Sequence, residues 1–235
     1  MGVANSGAAD SPIAILVDDD AAVRDALQEL LNSVGIDSIS YSSAQELVDA
    51  KLPDRPGCLV LDVRMPGLSG LDLQHLLATK GILTPVVFLT GHGDIAMSVQ
   101  AMKAGAVDFL TKPVRDQTLL DAVSTAIAAD IDRRAASTVS RRNIALYETL
   151  TPRERQVLLL VVTGAMNKQI AFDLGISEIT VKLHRSNMMR KMEARSLTHL
   201  YSAWQSLPAD IRRIPVDEAT PVAGRIGAQS DARVS

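Results

Sequence analysis

Apolar and polar positions along this chain follow two textures. Up to about residue 116, short apolar runs alternate with stretches whose apolar residues recur every three or four positions. The runs 13–17, 36–41, 58–61, 85–90 and 107–110 have strand length, and the run 58–61 lacks period-two alternation, which marks a strand buried on both faces. Between the runs, Val23, Leu27, Leu30, Leu31 and Val34 share one helical face. Further helices are predicted over 44–50, from Gly70 with Ser69 as its cap, over 95–104, and from near Asp116. Five strand–helix units in succession predict an α/β fold, a doubly wound parallel sheet of five strands covered by helices.

Neither Gly nor Pro occurs between Val114 and Thr151, while Leu119, Val123, Ile127 and Ile131 keep an i, i+4 stripe. The fifth helix is therefore expected to run on as a helical linker over 131–147, its stripe either a dimer seam or a helix frayed past its last contact. At Thr151 the second texture begins. Thr151, Pro152 and Glu154 supply the cap, the first-turn proline and the capping-box acid of a helix start. That helix is filled by residues 157–162 and closed by Gly164. Asn167 is expected to cap a second helix ending at Leu174, Ser177 a third running to about Met192, and Ser196 a fourth over 197–207. The second and third, joined through Gly175, form a helix-turn-helix arrangement. On the third helix, Thr180, Lys182, Arg185, Ser186 and Met189 fall on outward positions, whereas Ile179, Val181, His184 and Met188 are expected to pack. The resulting division is a disordered tail over 1–12, an α/β domain over 13–130, the linker, an all-α four-helix domain over 148–207, and a disordered tail over 208–235.

Charge sharpens this division. Residues 1–130 carry 8 Lys+Arg against 17 Asp+Glu, and residues 131–213 carry 14 against 7. A basic half after an acidic one suggests that the second half meets a polyanion. The single cysteine, Cys58, excludes an internal disulfide, and no apolar run has the length of a membrane span, so no membrane partner is expected and a cytoplasmic location fits.

The acidic half carries the candidate chemistry. Asp62 ends the buried run 58–61, and ligands in open doubly wound sheets bind outside the carboxyl ends of the strands. Asp18 and Asp19 end the first strand, Thr90 the fourth, and Lys112, followed by Pro113, comes after the fifth. Converging carboxylates repel, and a divalent cation relieves the repulsion; Mg²⁺ suits one or two carboxylates with water and phosphate oxygens. Asp62 is then placed to attack phosphorus, with the metal and Lys112 neutralising the transferring group and Thr90 donating its hydroxyl.

With the motifs LVDDD, LVLDVRMPGLSG, VVFLTGHGD and AGAVDFLTKP in this order, residues 13–130 strongly resemble the flavodoxin-like receiver domain of two-component response regulators. The resemblance implies Asp62 as phosphoacceptor, with Thr90 and Lys112 assisting. It implies Asp18, Asp19, Asp62 and the backbone carbonyl of Arg64 as the Mg²⁺ site, and Thr90 and Phe109 as switch residues. The aromatic switch position departs from the common Tyr and has no hydroxyl. His92, at the site rim, is implied as a position that tunes phosphoryl lifetime. The segment beginning LTPRERQVLLLVV resembles the DNA-binding domain of the FixJ, NarL and LuxR type. The implied DNA-contacting set is Asn167, Lys168, Thr180, Lys182, Leu183, Arg185, Ser186, Met189 and Arg190.

Together these resemblances imply a phosphorylation-activated transcriptional regulator. Its expected partners are a sensor histidine kinase, promoter DNA, RNA polymerase and, once phosphorylated, a second copy of the chain. It is not expected to be an enzyme beyond catalysing its own phosphorylation and dephosphorylation. A metal-dependent phosphatase is the alternative, weakened because Arg64 leaves no second acid in the Asp62 loop. A ligand-responsive regulator sharing only the basic half is another, opposed by the acidic βα half.

Overall fold

The computed structural model describes residues 11–91 and 95–213. Its first part alternates β1 (Ile13–Val17), α1 (Ala21–Ser33), β2 (Asp37–Tyr41), α2 (Ala44–Asp49), β3 (Gly57–Leu61), α3 (Gly70–Thr79), β4 (Val86–Thr90), α4 (Ile95–Lys103) and β5 (Asp108–Thr111). The five strands pair in parallel in the order β2-β1-β3-β4-β5. The strand that ends at Asp62 is therefore central. Val17 pairs with Leu61, so Asp18 and Asp62 leave adjacent strands at the same level.

Successive residues of a strand face opposite sides, and the sheet accordingly feeds two cores. Ile15, Val17, Leu59, Leu61 and Phe88 pack with Leu47 of α2 and with Leu73 and Leu77 of α3. On the other face, Leu16, Cys58, Val60, Val87 and Leu89 pack with Leu27 and Leu31 of α1 and with residues of α5 (Asp116–Glu148). With both faces covered, β3 is apolar at every position, hence its missing alternation. Each fully buried leucine contributes about 2 kcal/mol, so packing rather than intrinsic propensity holds these short elements.

In α5 the buried positions run Leu119, Ala122, Val123, Ala126, Ile127 and then Asp130. Ile131, expected to continue the stripe, is exposed. A strict four-residue repeat drifts around a helix of 3.6 residues per turn, and by the last turn the inward position has moved to 130. Asp130 there anchors the start of β3. Its Oδ2 accepts from the Gly57 N–H at 3.0 Å and from Arg134 Nε at 2.7 Å, while Oδ1 accepts from Arg133 Nε at 3.0 Å. Burial raises the Asp130 pKa, but hydrogen bonds from Arg134, Arg133 and Gly57 outweigh it and hold the carboxyl below its ordinary value.

Contacts divide the chain into two compact units, Met1–Ala135 and Ala136–Ser235, at a point within α5. The second unit contains α6 (Pro152–Val162), α7 (Asn167–Leu174), α8 (Glu178–Lys191), α9 (Leu197–Gln205) and α10 (Ala209–Arg212). Its core joins Val157, Leu158, Ile170, Val181, Met188, Leu200 and Trp204, with Ile144, Leu146 and Tyr147 from the end of α5 against it. Thr151 and Glu154 close a capping box, Ser177 accepts from the Thr180 N–H, and Ser196 accepts from the His199 N–H. Gly175 ends α7 with φ at 63°, a left-handed turn that glycine adopts without steric cost.

Two expectations need correction. Asn167 does not cap α7: it is the first helical residue, Met166 holds the cap position, and the Met166 N–H donates to Gln169 Oε1 at 2.8 Å. A side chain reaching back from the third helical residue thus serves the end that a capping Asn would otherwise serve. Nor is the whole of 208–235 without structure, because α10 forms and Ile211 packs against the helical core. At the other end, Ser11 donates to Asp37 and accepts from Arg55. The rest of both expected tails lies outside the described residues.

Candidate functional site

Backbone bonds carry the parallel ladder past the strand ends and set the loops that hold the acids. The Asp62 N–H donates to Val17 O at 2.8 Å, the Asp18 N–H to Tyr41 O at 3.3 Å, and the Lys112 N–H to Thr90 O at 2.8 Å. Gly70, at the start of α3, lies so close that a Cβ there would sit 2.2 Å from Asp62 O. Only glycine allows this approach.

On that frame Lys112 Nζ donates to Asp18 Oδ2 at 2.5 Å and to Asp62 Oδ2 at 3.1 Å. Burial pulls the Lys112 pKa down, but the bonds to Asp18 and Asp62 outweigh it, and the ammonium is held above its ordinary value. Carboxylate oxygens of Asp18, Asp19 and Asp62 lie within 4.8 Å of one another. Asp18 and Asp62 are buried and Asp19 is exposed. One ammonium against three carboxylates leaves excess negative charge in a partly dry setting. An all-oxygen donor set of this charge fits a hard divalent cation of the Mg²⁺ type.

The third acid of the loop does different work. Asp20 is the N-cap of α1, its Oδ1 accepting from the Ala22 N–H at 2.9 Å and the Val23 N–H at 3.5 Å. Asp18 is oriented by the Asp20 N–H on its Oδ1 at 3.0 Å and by Arg24 Nη1 on its carbonyl at 2.7 Å. The Arg64 N–H donates to Asp62 Oδ1 at 3.2 Å, and the Arg64 side chain is exposed. Thr90 ends β4 fully buried. Phe109, on β5, is half-buried with its ring 6.1 Å from that of Phe88. Asp18, Asp19, Asp62 and Lys112 are thus in one cluster, with Thr90 at a neighbouring strand end. His92 lies outside the described residues. Sequence reasoning missed the roles of Arg24 and Gly70; an arginine one turn into α1 and a glycine beside the Ser69 cap were the available signals.

In the helical unit, α8 packs Val181 and Met188 inward and exposes Ile179, Lys182, Leu183, Ser186 and Arg190. Ile179, expected to pack, is 79% exposed, because the neighbouring helices cover the face that carries 181, 184 and 188. Met189, expected to face outward, is half-buried against the core. Arg185 is half-buried and donates to Asn167 Oδ1 at 3.0 Å, tying α8 to the start of α7. The Thr180 and Ser177 hydroxyls lie 2.8 Å apart within the cap of α8. Lys168, on the first turn of α7, is exposed.

A parallel sheet with an acid–lysine cluster on its carboxyl edge, followed by a helix-turn-helix unit, defines the class: a signal-receiving, DNA-binding regulator. The chain belongs to the response regulators, since residues 14–124 match the response regulator receiver domain and residues 148–203 the bacterial regulatory proteins of the luxR family. It is 52% identical over 195 residues to nodulation protein W of Bradyrhizobium diazoefficiens, covering 83% of this chain and 86% of that one. With the transcriptional regulatory protein FixJ of Azorhizobium caulinodans it shares 43% over 210 residues, 88% of this chain and 96% of the relative. Among solved structures, the response regulator StyR superposes with a TM-score of 0.71 at 46% identity, covering 83% of this chain and 98% of that one. Among the described residues no helix is long and apolar enough to cross a membrane.

Proposed function

We propose that this response regulator accepts a phosphoryl group on Asp62 from a sensor histidine kinase and, so modified, dimerises and binds promoter DNA. The observation that carries this reading is the Lys112 ammonium bonded to both Asp18 and Asp62 at the end of the central strand. An Asp62 carboxylate oxygen attacks phosphorus, the bond from phosphorus to the kinase histidine nitrogen breaks, and an aspartyl-phosphate remains. Lys112 stays protonated and moves from the carboxylates towards the phosphoryl oxygens. Thr90 donates its hydroxyl to them, and Phe109, which needs no hydroxyl for a packing change against Phe88, moves with it. Mg²⁺ held by Asp18, Asp19, Asp62 and the Arg64 carbonyl would supply further neutralisation of the transferring charge. The chain's catalysis is confined to its own phosphorylation and dephosphorylation.

In the helical unit, Lys182, Leu183, Ser186 and Arg190 form the groove-facing set, with Lys168 on the adjoining helix. Thr180 and Asn167 contribute through the α8 cap and the Arg185 contact, and Met189 through packing. A cytoplasmic location and a contact with RNA polymerase complete the reading. Acetyl phosphate with Mg²⁺ tests it: the wild type should be labelled and shift from monomer to dimer in sedimentation, while Asp62→Asn should do neither. Equal labelling of that variant overturns the phosphoacceptor assignment, and an unchanged sedimentation profile of the labelled wild type overturns the dimer.

A further inference from the structure

The outer face of α8 carries hydrophobes where a solvated helix would carry polar groups. Ile179, Leu183, Ser186 and Arg190 recur at steps of four, three and four, so they share one face of the helix, with Lys182 at its edge. Ile179 is 79% and Leu183 59% exposed, one turn apart. Neither belongs to the core of the unit, whose contact with α8 is made by Val181 and Met188, both fully buried. Ile179 lies in the first turn of the helix, the end that reaches base edges when such a helix enters the major groove.

We infer that Ile179, together with Leu183, reads the C5-methyl group of thymine, so that the DNA site requires a thymine at a defined position of each half-site. This rests on the reading of α8 as the groove-facing helix. Lys182 and Arg190 on the same face fix the occupant by charge complementarity, because a polyanion is the surface they match and the thymine methyl is the apolar feature it displays in that groove. A methyl group carries no hydrogen-bonding information, so only an apolar side chain distinguishes thymine from uracil. The division of labour on one face is then hydrocarbon for thymine and cation for guanine or phosphate.

The test uses the full chain treated with acetyl phosphate and Mg²⁺. Binding sites are selected from random duplexes, and each thymine of the selected site is then replaced in turn by deoxyuridine, which deletes the methyl and leaves the pairing edge intact. For the wild type, one replacement per half-site should weaken binding about fourfold, the worth of one buried carbon. For Ile179→Ala the unmodified site should bind about fourfold or more weakly, and the same replacement should cost nothing further. Ile179→Val, which keeps a branched hydrocarbon, should retain most of the uracil penalty. A selected motif with no uracil penalty at any thymine overturns this inference and leaves the DNA-binding reading intact, as does an equal penalty in wild type and Ile179→Ala. If Ile179→Ala keeps both affinity and penalty but loses transcription in a purified polymerase assay, the residue meets a protein and the inference falls. Failure of the wild type to bind or enrich any duplex overturns the DNA-binding reading itself, and this inference with it.

Discussion

In the α/β unit the heart of the candidate site is polar and buried; in the helical unit the candidate contact groups include hydrocarbon, and it is exposed. Asp18, Asp62 and Thr90 are enclosed at the mouth of an apolar sheet, whereas Ile179 and Leu183 stand out from α8 on the face that Lys182 borders. Each arrangement inverts the usual partition of residues, and each is costly until a partner arrives. The clustered acids hold negative charge that the single Lys112 ammonium only partly relieves, which suits a small, highly charged ligand gripped from several strands. The exposed apolar face suits a large surface read at many weak points. Burial thus marks the proposed chemical switch, and exposure marks the proposed recognition surface.

The sharpest way to break this contrast is to remove a buried acid that serves only as an anchor. Asp130→Ala removes the acceptor of the buried Gly57 N–H and the acceptor of Arg133, and one of the acceptors of Arg134, which keeps Asp54; it is expected to destabilise the α/β unit by about 3 kcal/mol. Hydrogen exchange of the β3 amides reads this directly, and unchanged protection at Gly57 would show that the anchor is dispensable. Because the folded pKa of Asp130 lies below its ordinary value, its stabilisation is fully present above pH ~4 and is lost as pH falls through the lowered value. The wild type should therefore lose β3 protection below that pH more steeply than the variant.

On the exposed side, Lys182→Ala should cost about 1 to 2 kcal/mol at one base position of the selected site and little on scrambled duplexes. Titrations on both duplexes decide it: equal losses would make Lys182 a phosphate contact. The smallest effect is expected at Arg185, whose guanidinium is engaged by Asn167. Arg185→Ala should weaken specific and scrambled duplexes alike, with the salt slope reduced by at most about one unit. A position-specific loss at Arg185 would instead place it among the base readers and blur the distinction drawn for α8.

Legibility followed the range of the interactions concerned. The strand–helix alternation, the both-faces-buried strand ending at Asp62 and the capping signals at Thr151, Ser177 and Ser196 depend on neighbours a few residues away, and periodicity and side-chain chemistry express them in the chain itself. Even there a purely local reading missed Met166 as a cap, because the compensating group was Gln169 rather than the cap residue. The resemblance to receiver domains named Asp18, Asp62 and Lys112. That the ammonium bonds both acids, however, depends on strand order, which brings together residues 94 and 50 positions apart. The same holds for Asp130, a polar residue where a stripe predicted a hydrophobe one position later, and whose partner Gly57 is 73 residues away. Ile179 shows the reverse case: an isoleucine on a helix is expected to pack, and only the placement of neighbouring helices determines which face is left to solvent. Periodicity fixes which residues share a face; tertiary packing decides whether that face is covered.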